Sequence, residues 1–244
     1  MKKLYGLIGY PLGHSFSKKY FTDKFEKENI TDTEYKLFPI EHIDGLKAIV
    51  ANNPNLAGLN ITIPHKQSVL KFATHLSDAV KEIGAANILK FTSSQVEAYN
   101  TDVIGFEKSL LTELKAFHKK TLILGTGGSS NAVQFVCRKL GIEYLLVSRN
   151  KSERAISYAD LGQDIMSNYL VIINTTPLGT FPDTASFPEI PYIHITNKHY
   201  CFDLVYNPPK TVFLTKAEEQ GATIKNGYDM LVIQAQESWK IWNA

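Results

Sequence analysis

An α/β protein of two domains, each built on a mostly parallel sheet, is the fold class that the sequence predicts, and two observations predict it. From the start of the chain, short apolar runs alternate with stretches of helical character, the pattern of βαβ units. Near the middle, Thr121-Leu122-Ile123-Leu124 runs into Gly125-Thr126-Gly127-Gly128-Ser129-Ser130 and then into a helical stretch with Ala132, Val133, Phe135, Val136 and Leu140. Strand, tight glycine loop and helix in that order open a Rossmann-like nucleotide-binding unit. At 244 residues the chain can bury two modest cores.

The first strand is read over Leu4 to Gly9. Met1-Lys2-Lys3 resembles the start of an export signal, but the apolar run is interrupted by Gly6 and Gly9 and stopped by Pro11, so a strand and a cytoplasmic location are expected. A polar Gly/Ser loop leads into a helix from Phe16 to Asn29 and a strand from Thr33 to Pro39. The alternation repeats with a helix at Ile43 to Asn52, a strand at Ala57 to Ile61 and a helix at Lys66 to Leu76, with Pro64 near its first turn. Ala86 to Phe91 and Gln95 to Asn100 read as a hairpin across Thr92-Ser93-Ser94, and Asp102 opens a helix over Val103 to Leu114. In the second half Gly141 closes the helix that follows the glycine loop, and Glu143 to Val147 is the next strand. A buried-strand run at Tyr169 to Ile173 ends in Asn174-Thr175-Thr176-Pro177-Leu178-Gly179. Another at Tyr200 to Val205 ends in Tyr206-Asn207-Pro208-Pro209. Polar loops at the carboxyl ends of strands are where open α/β sheets bind ligands. The last helix runs from Met230 to Trp242, after Asn226-Gly227-Tyr228-Asp229.

Composition removes several classes of function. A formal net charge of +2 with no block of like charges gives no footprint for nucleic acid. No stretch approaches the ~20 apolar residues of a membrane span. The two cysteines, Cys137 and Cys201, sit in apolar surroundings without a CxxC spacing and read as core residues of a reducing compartment. The seven histidines form no HExxH pair and no Cys/His cluster, so no catalytic metal is expected.

Two polar segments carry the chemistry. Asn60-Ile61-Thr62-Ile63-Pro64-His65-Lys66 ends in a lysine whose ammonium can give a proton to a carbonyl that is receiving a hydride. Tyr99-Asn100-Thr101-Asp102 offers a carboxylate to orient that ammonium and share a substrate hydroxyl. Each residue has an ordinary reading as well, Lys66 as a solvated lysine in a first helical turn and Asp102 as a helix cap. In the glycine loop, Gly125 and Gly127 permit the turn and let backbone N–H groups approach a pyrophosphate at the helix N-terminus, and Ser130 is small enough for close packing. After the second strand an acidic residue would favour NAD. This chain has Ser148-Arg149-Asn150-Lys151, and a guanidinium fork with a neighbouring lysine suits the 2′-phosphate of NADP, unless both are ordinary loop charges.

Together these pieces resemble the shikimate dehydrogenases over nearly the whole chain. The motifs that carry the resemblance stand in order: Gly13-His14-Ser15-Phe16-Ser17, Asn60 to Lys66, Gly84-Ala85-Ala86-Asn87, Asn100-Thr101-Asp102, Gly125 to Gly128, Asn174 to Gly179, Asp203-Leu204-Val205-Tyr206-Asn207-Pro208, and Gly227-Tyr228-Asp229-Met230-Leu231-Val232 with Gln234. The chain departs from the family at Lys18, where proline usually follows the serines, and at Ser148 and Asn150, which flank the retained Arg149.

The resemblance implies an NADP-dependent enzyme of aromatic amino acid biosynthesis that interconverts 3-dehydroshikimate and shikimate by hydride transfer at ring C3. Lys66 and Asp102 would be its catalytic pair. Ser15, Ser17 and Tyr206 would bind the substrate carboxylate, while Thr62, Asn87, Asp102 and Gln234 hold the ring hydroxyls. Gly125, Thr126, Gly127, Gly128, Ser129, Ser148, Arg149, Asn150, Thr175 and Gly227 would form the NADP site. Residues 1–101, completed by a C-terminal helix over 228–244, would be the substrate domain, and 102–227 the Rossmann-like domain. A small molecule is the only partner implied, with the protein a monomer or homodimer. Without the family, Ser15 and Ser17 read as helix caps, Thr62 and Asn87 as turn residues and Gln234 as a surface position. Two Tyr-x-x-x-Lys spacings, at Tyr20 to Lys24 and Tyr206 to Lys210, raise a short-chain dehydrogenase. The first precedes the glycine loop, and Pro208 and Pro209 break the second. A quinate/shikimate dehydrogenase using both NAD and NADP is a nearer alternative, against which Arg149 weighs, and a non-catalytic ligand sensor on the same scaffold is disfavoured by the intact Lys66 and Asp102.

Overall fold

The computed structural model describes residues 2–13 and 15–244; His14, part of the serine motif, lies outside them. Its strands are β1 (Lys3–Gly9), β2 (Thr33–Pro39), β3 (Leu56–Ile61), β4 (His75–Leu76), β5 (Ile88–Phe91), β6 (Val96–Tyr99), β7 (Lys120–Leu124), β8 (Glu143–Ser148), β9 (Ala155–Ser157), β10 (Val171–Asn174), β11 (Tyr200–Asp203) and β12 (Thr223–Lys225). Its α-helices are α1 (Phe16–Lys27), α2 (Leu46–Asn52), α3 (Asp78–Ile83), α4 (Thr101–Leu111), α5 (Gly128–Lys139), α6 (Gln163–Asn168), α7 (Val212–Glu219) and α8 (Tyr228–Asn243). The chain divides into two compact units, Met1–Ile104 with Gln234–Ala244, and Gly105–Ile233.

The first unit holds a six-stranded sheet in the order β2-β1-β3-β5-β6-β4. Every pairing is parallel except those of β5, which runs antiparallel to β3 and β6 and makes the expected hairpin. β1 is paired at both edges, by β2 and β3, and packed on both faces, so it reads as a continuous apolar run. Alternate residues serve opposite faces: Leu4 and Ile8 join Leu46, Leu59, Ile61 and Val69, while Tyr5 and Leu7 join Phe21, Phe25, Tyr35 and Trp242. α1 starts where the Ser15 hydroxyl accepts from the Lys18 N–H at 3.2 Å, and it buries Phe21 and Phe25, one helical turn apart. The end of α8 seats on this sheet. Trp242 stacks on Tyr5 with ring centroids 4.8 Å apart and donates its indole N–H to the Leu89 carbonyl at 3.0 Å. Only a glycine fits beneath it, since a Cβ at Gly58 would lie 2.2 Å from Trp242 Nε1.

The helix expected over Lys66 to Leu76 is not formed. A short 3-10 turn at Ser68–Phe72 stands there, followed by β4. The reason is tertiary: Thr74 N–H donates to Val96 and Ser77 N–H to Ala98, so pairing with β6 outweighs the local helical pattern. α3, which the sequence reading passes over, ends at Gly84 with φ of +70°, a conformation favourable to glycine.

In the second unit all six strands are parallel, in the order β9-β8-β7-β10-β11-β12. This is the doubly wound 3-2-1-4-5-6 order of dinucleotide-binding folds, whose ligand site lies at the reversal point, here the carboxyl ends of β7 and β10. Its core gathers Leu122, Leu124, Val147, Ile172, Cys201, Phe213 and Leu214. Cys137 and Cys201 are buried and unpaired, as core residues.

Candidate active site

In the first unit the loop after β3 delivers Lys66 to Asp102. The lysine Nζ lies 2.7 Å from Asp102 Oδ2. Asn87 Nδ2 donates to the other carboxylate oxygen, Oδ1, at 3.1 Å. The same amide is fixed from behind, because Asn87 Oδ1 accepts the Thr101 N–H at 2.7 Å; separately, the Asn100 side chain accepts the Asp102 N–H at 3.0 Å. Asp102 therefore lies in the first turn of α4 without capping it; Asn87 and Asn100 satisfy the N–H groups there. Lys66 is anchored through its backbone. Its carbonyl accepts the Ala86 N–H at 2.8 Å, and the buried ring of neighbouring His65 bonds to the Ile40 carbonyl at 2.7 Å.

This arrangement leaves Lys66 and Asp102 partly open to solvent, with side-chain exposures of 27% and 12%. A charge-assisted pair of that geometry can carry a proton at a substrate oxygen while the carboxylate accepts from a hydroxyl. Thr62 stands at the end of β3, against Gly9, where an added Cβ would come within 2.4 Å of its methyl group. Ser17 hydrogen-bonds the Tyr35 hydroxyl, and Tyr35 donates to Asn60 Oδ1 at 2.6 Å. Asn60 Nδ2 in turn donates to Ser238 at 3.2 Å, and Ser238 donates to the Gln234 carbonyl at 2.7 Å. A half-buried polar chain thus joins the serine loop to Gln234. Burial pushes the Tyr35 phenol well above its ordinary range, which keeps it a neutral donor throughout.

In the second unit Gly125 ends β7 with φ of +107°, and a Cβ there would lie 2.8 Å from Thr175 Oγ1. Thr175 binds back through its N–H and hydroxyl to the Leu124 carbonyl, at 2.9 and 2.7 Å. Gly127 and Gly128 face open space where a side chain would stand, and α5 begins without a side-chain cap, so its first N–H groups are presented outward. Beside Thr126 opens a cavity of about 510 Å³, walled by Ser148, Arg149, Asn150 and Lys151, and also by Arg154, Asn131 and Gln134. Uncapped helix, bare glycines and three cations suit a dinucleotide with an extra phosphate. Ser129 lies exposed in the first turn of α5. Tyr206 is exposed on the loop after β11. Gly227 is buried with its N–H on the Val205 carbonyl, and a Cβ there would lie 2.1 Å from the Leu204 carbonyl oxygen, so its own requirement for glycine is close backbone packing. Among the described residues no group of three or more His, Cys, Asp or Glu could hold a metal ion, and no helix is long and apolar enough to cross a membrane.

Comparison with known proteins follows the same outline. The family model of the shikimate dehydrogenase substrate binding domain matches residues 7–89. The shikimate dehydrogenase (NADP(+)) of Methanococcus maripaludis strain C6 is 38% identical over 260 residues, covering 98% of this chain and 91% of that protein. The chain belongs to the shikimate dehydrogenase family. Among solved structures, a chorismate mutase/shikimate 5-dehydrogenase fusion protein from Clostridium acetobutylicum superposes with a TM-score of 0.87 at 35% identity, covering 100% of this chain and 92% of that one. A shikimate dehydrogenase in complex with NADP+ gives 0.85 at 28% identity, covering 99% and 90%.

The supporting residues of this family member are the part that sequence reasoning missed. Tyr35, Ser238 and Arg154 stand in no motif, while His65 and Thr101 lie inside the two polar segments but show their supporting contacts only in the fold. Asn174 and Asp203 had a signal: each is a polar residue ending a run of apolar strand residues, and each is wholly buried.

Proposed function

We propose that the protein is an NADP-dependent oxidoreductase that interconverts 3-dehydroshikimate and shikimate. The observation that carries this reading is the Lys66–Asp102 pair at 2.7 Å, closed on its second carboxylate oxygen by Asn87. The NADP(+) enzymes among its relatives support the cofactor. NADP, when bound, accepts or supplies the hydride. Lys66 gives a proton to the oxygen on ring C3 as the carbonyl becomes an alcohol, and takes it back in the reverse direction. Asp102 holds the ammonium and accepts a ring hydroxyl. Thr62, Asn87 and Gln234 hold the other ring hydroxyls, since a cyclic polyol needs short side chains that both donate and accept. Ser15, Ser17 and Tyr206 take the substrate carboxylate.

Gly125 to Ser129, Thr175 and Gly227 are assigned to the dinucleotide, with Ser148, Arg149 and Asn150 at its adenosine end. Arg149 meets the 2′-phosphate, so Arg149→Asp raises KM for NADP about tenfold to a hundredfold and relatively improves NAD. The deciding assay measures shikimate with NADP beside quinate with NAD. Preference for the second pair in the wild-type protein would overturn this reading, and an Arg149→Asp enzyme with unchanged KM for NADP would place the phosphate elsewhere.

A further inference from the structure

The loop that carries Thr175 and the loop that carries Tyr206 are fastened to a single buried group. Asp203, the last residue of β11, is fully buried. Its Oδ1 accepts from Asn174 Nδ2 at 2.9 Å and from the Val205 N–H at 3.0 Å, and its Oδ2 accepts from the Thr211 hydroxyl at 2.6 Å. Asn174 is the last residue of β10. Its own Oδ1 accepts from both the N–H and the hydroxyl of Thr176, at 3.0 and 2.6 Å, so it fixes the start of the Thr175 loop. Val205 and Thr211 stand at the two ends of the loop that holds Tyr206, and Thr211 also caps α7 by accepting from the Leu214 N–H. The two loops touch again where the Phe181 N–H donates to the Asn207 carbonyl at 3.1 Å and where Gly179 rests on Thr211.

We propose that Asp203 is a positioning residue that clasps these two loops and thereby sets the affinity for cofactor through Thr175 and for substrate through Tyr206. The assignment of those two ligands rests on the function proposed above. A carboxylate suits the task because one group accepts from three donors on different segments, and charge-assisted bonds are the stronger kind. All three donors are neutral. The ionisable groups that feel the Asp203 charge are Cys201, on the same strand, and Tyr192, in the 3-10 turn at Tyr192–His194, and burial keeps both uncharged. With no cation to offset burial, the Asp203 carboxyl is pushed up to about 6. The ionised clasp therefore weakens as pH falls through that value.

The test compares wild type with Asp203→Asn, which keeps the shape and loses the charge, and with Asp203→Ala, which removes the clasp. KM for shikimate, KM for NADP and kcat are measured from pH 5.5 to 8. At pH 8 Asp203→Asn is expected to raise both KM values severalfold with kcat within about twofold, and at pH 5.5 the difference from wild type closes. Asp203→Ala raises both KM values tenfold or more. A residue that merely stabilised the fold would lower the melting temperature and leave the KM values of the folded protein in place, and that result would overturn the proposal. If the alanine variant does not fold, the asparagine variant decides alone, and a KM ratio to wild type that stays at one, or does not vary with pH, overturns the clasp. Wild-type protein inactive on shikimate with NADP refutes the functional reading itself, which separates the two failures.

Discussion

Lys66 is tied to Asp102 at 2.7 Å, and the backbone on either side of it is pinned, by His65 to Ile40 and by its own carbonyl to Ala86. The residue is thus placed by three separate segments of the chain, with its ammonium on Asp102, and needs no helix of its own. Lys66→Ala should lower kcat by roughly 10² to 10⁴, the range for a positioned general acid or base, with little change in KM for shikimate. Near wild-type kcat in that variant would show that the proton moves through another group. Asn87 acts on the same carboxylate while fixing the Thr101 N–H. Asn87→Asp, which keeps the acceptor for Thr101 and removes the donor to Asp102, should lower kcat and raise KM together, because like charges then face each other across 3.1 Å. Steady-state kinetics with shikimate varied would separate this from the lysine variant, whose loss lies in kcat alone.

Among the elements, the strands with apolar runs buried on both faces were legible in the sequence because their signal is local. β1, β7 and β10 needed nothing beyond their own residues and the glycines or polar loops that end them. The 68–76 segment was not legible, since its helical pattern yields to edge pairing with β6, information held some twenty residues away in the chain. β9 and β12, three residues each, are too short for any period to be read. The candidate site divides in the same way: the site residues named lie inside motifs, while Tyr35 and Ser238, joined to the site only by folding, gained no role, and Asn60, though it opens a motif, was given none. Gly58 belongs to this non-local class, and its partner is at the other end of the sequence. Gly58→Ala would force Trp242 off the Leu89 carbonyl and off Tyr5, costing about 2 to 4 kcal/mol from overpacking and a lost hydrogen bond. Both tryptophans of the chain lie in α8, so denaturant unfolding followed by tryptophan fluorescence reads this directly. A variant with unchanged midpoint and emission would show that the indole can be accommodated elsewhere.

At the scale of the whole molecule, stability should carry the imprint of two buried groups that titrate in opposite senses. His199 is buried, with its ring on the Met166 carbonyl, and burial holds its pKa below the ordinary 6.5. Its contribution is therefore present above about pH 6.5, and is lost as pH falls and the unfolded chain takes up the proton. Asp203 works the other way. Its folded pKa of about 6 stands above the ordinary 3.8, so between those values the folded state binds more protons, and stability falls as pH rises. The difference of about two units corresponds to ~3 kcal/mol lost between pH 4 and pH 7 by keeping this carboxylate buried and ionised. Asp203→Asn removes that dependence. Its stability relative to wild type should therefore improve by about 3 kcal/mol across the same range, even while ligand affinity at high pH declines. A chain of two units can unfold in more than one step, so the transition to follow is that of Gly105–Ile233, seen by far-UV circular dichroism beside the tryptophan signal of the other unit. A stability difference between wild type and Asp203→Asn that stays constant from pH 4 to pH 7 would show that Asp203 does not titrate within this window, and that the clasp carries the same charge at every pH at which the protein is folded.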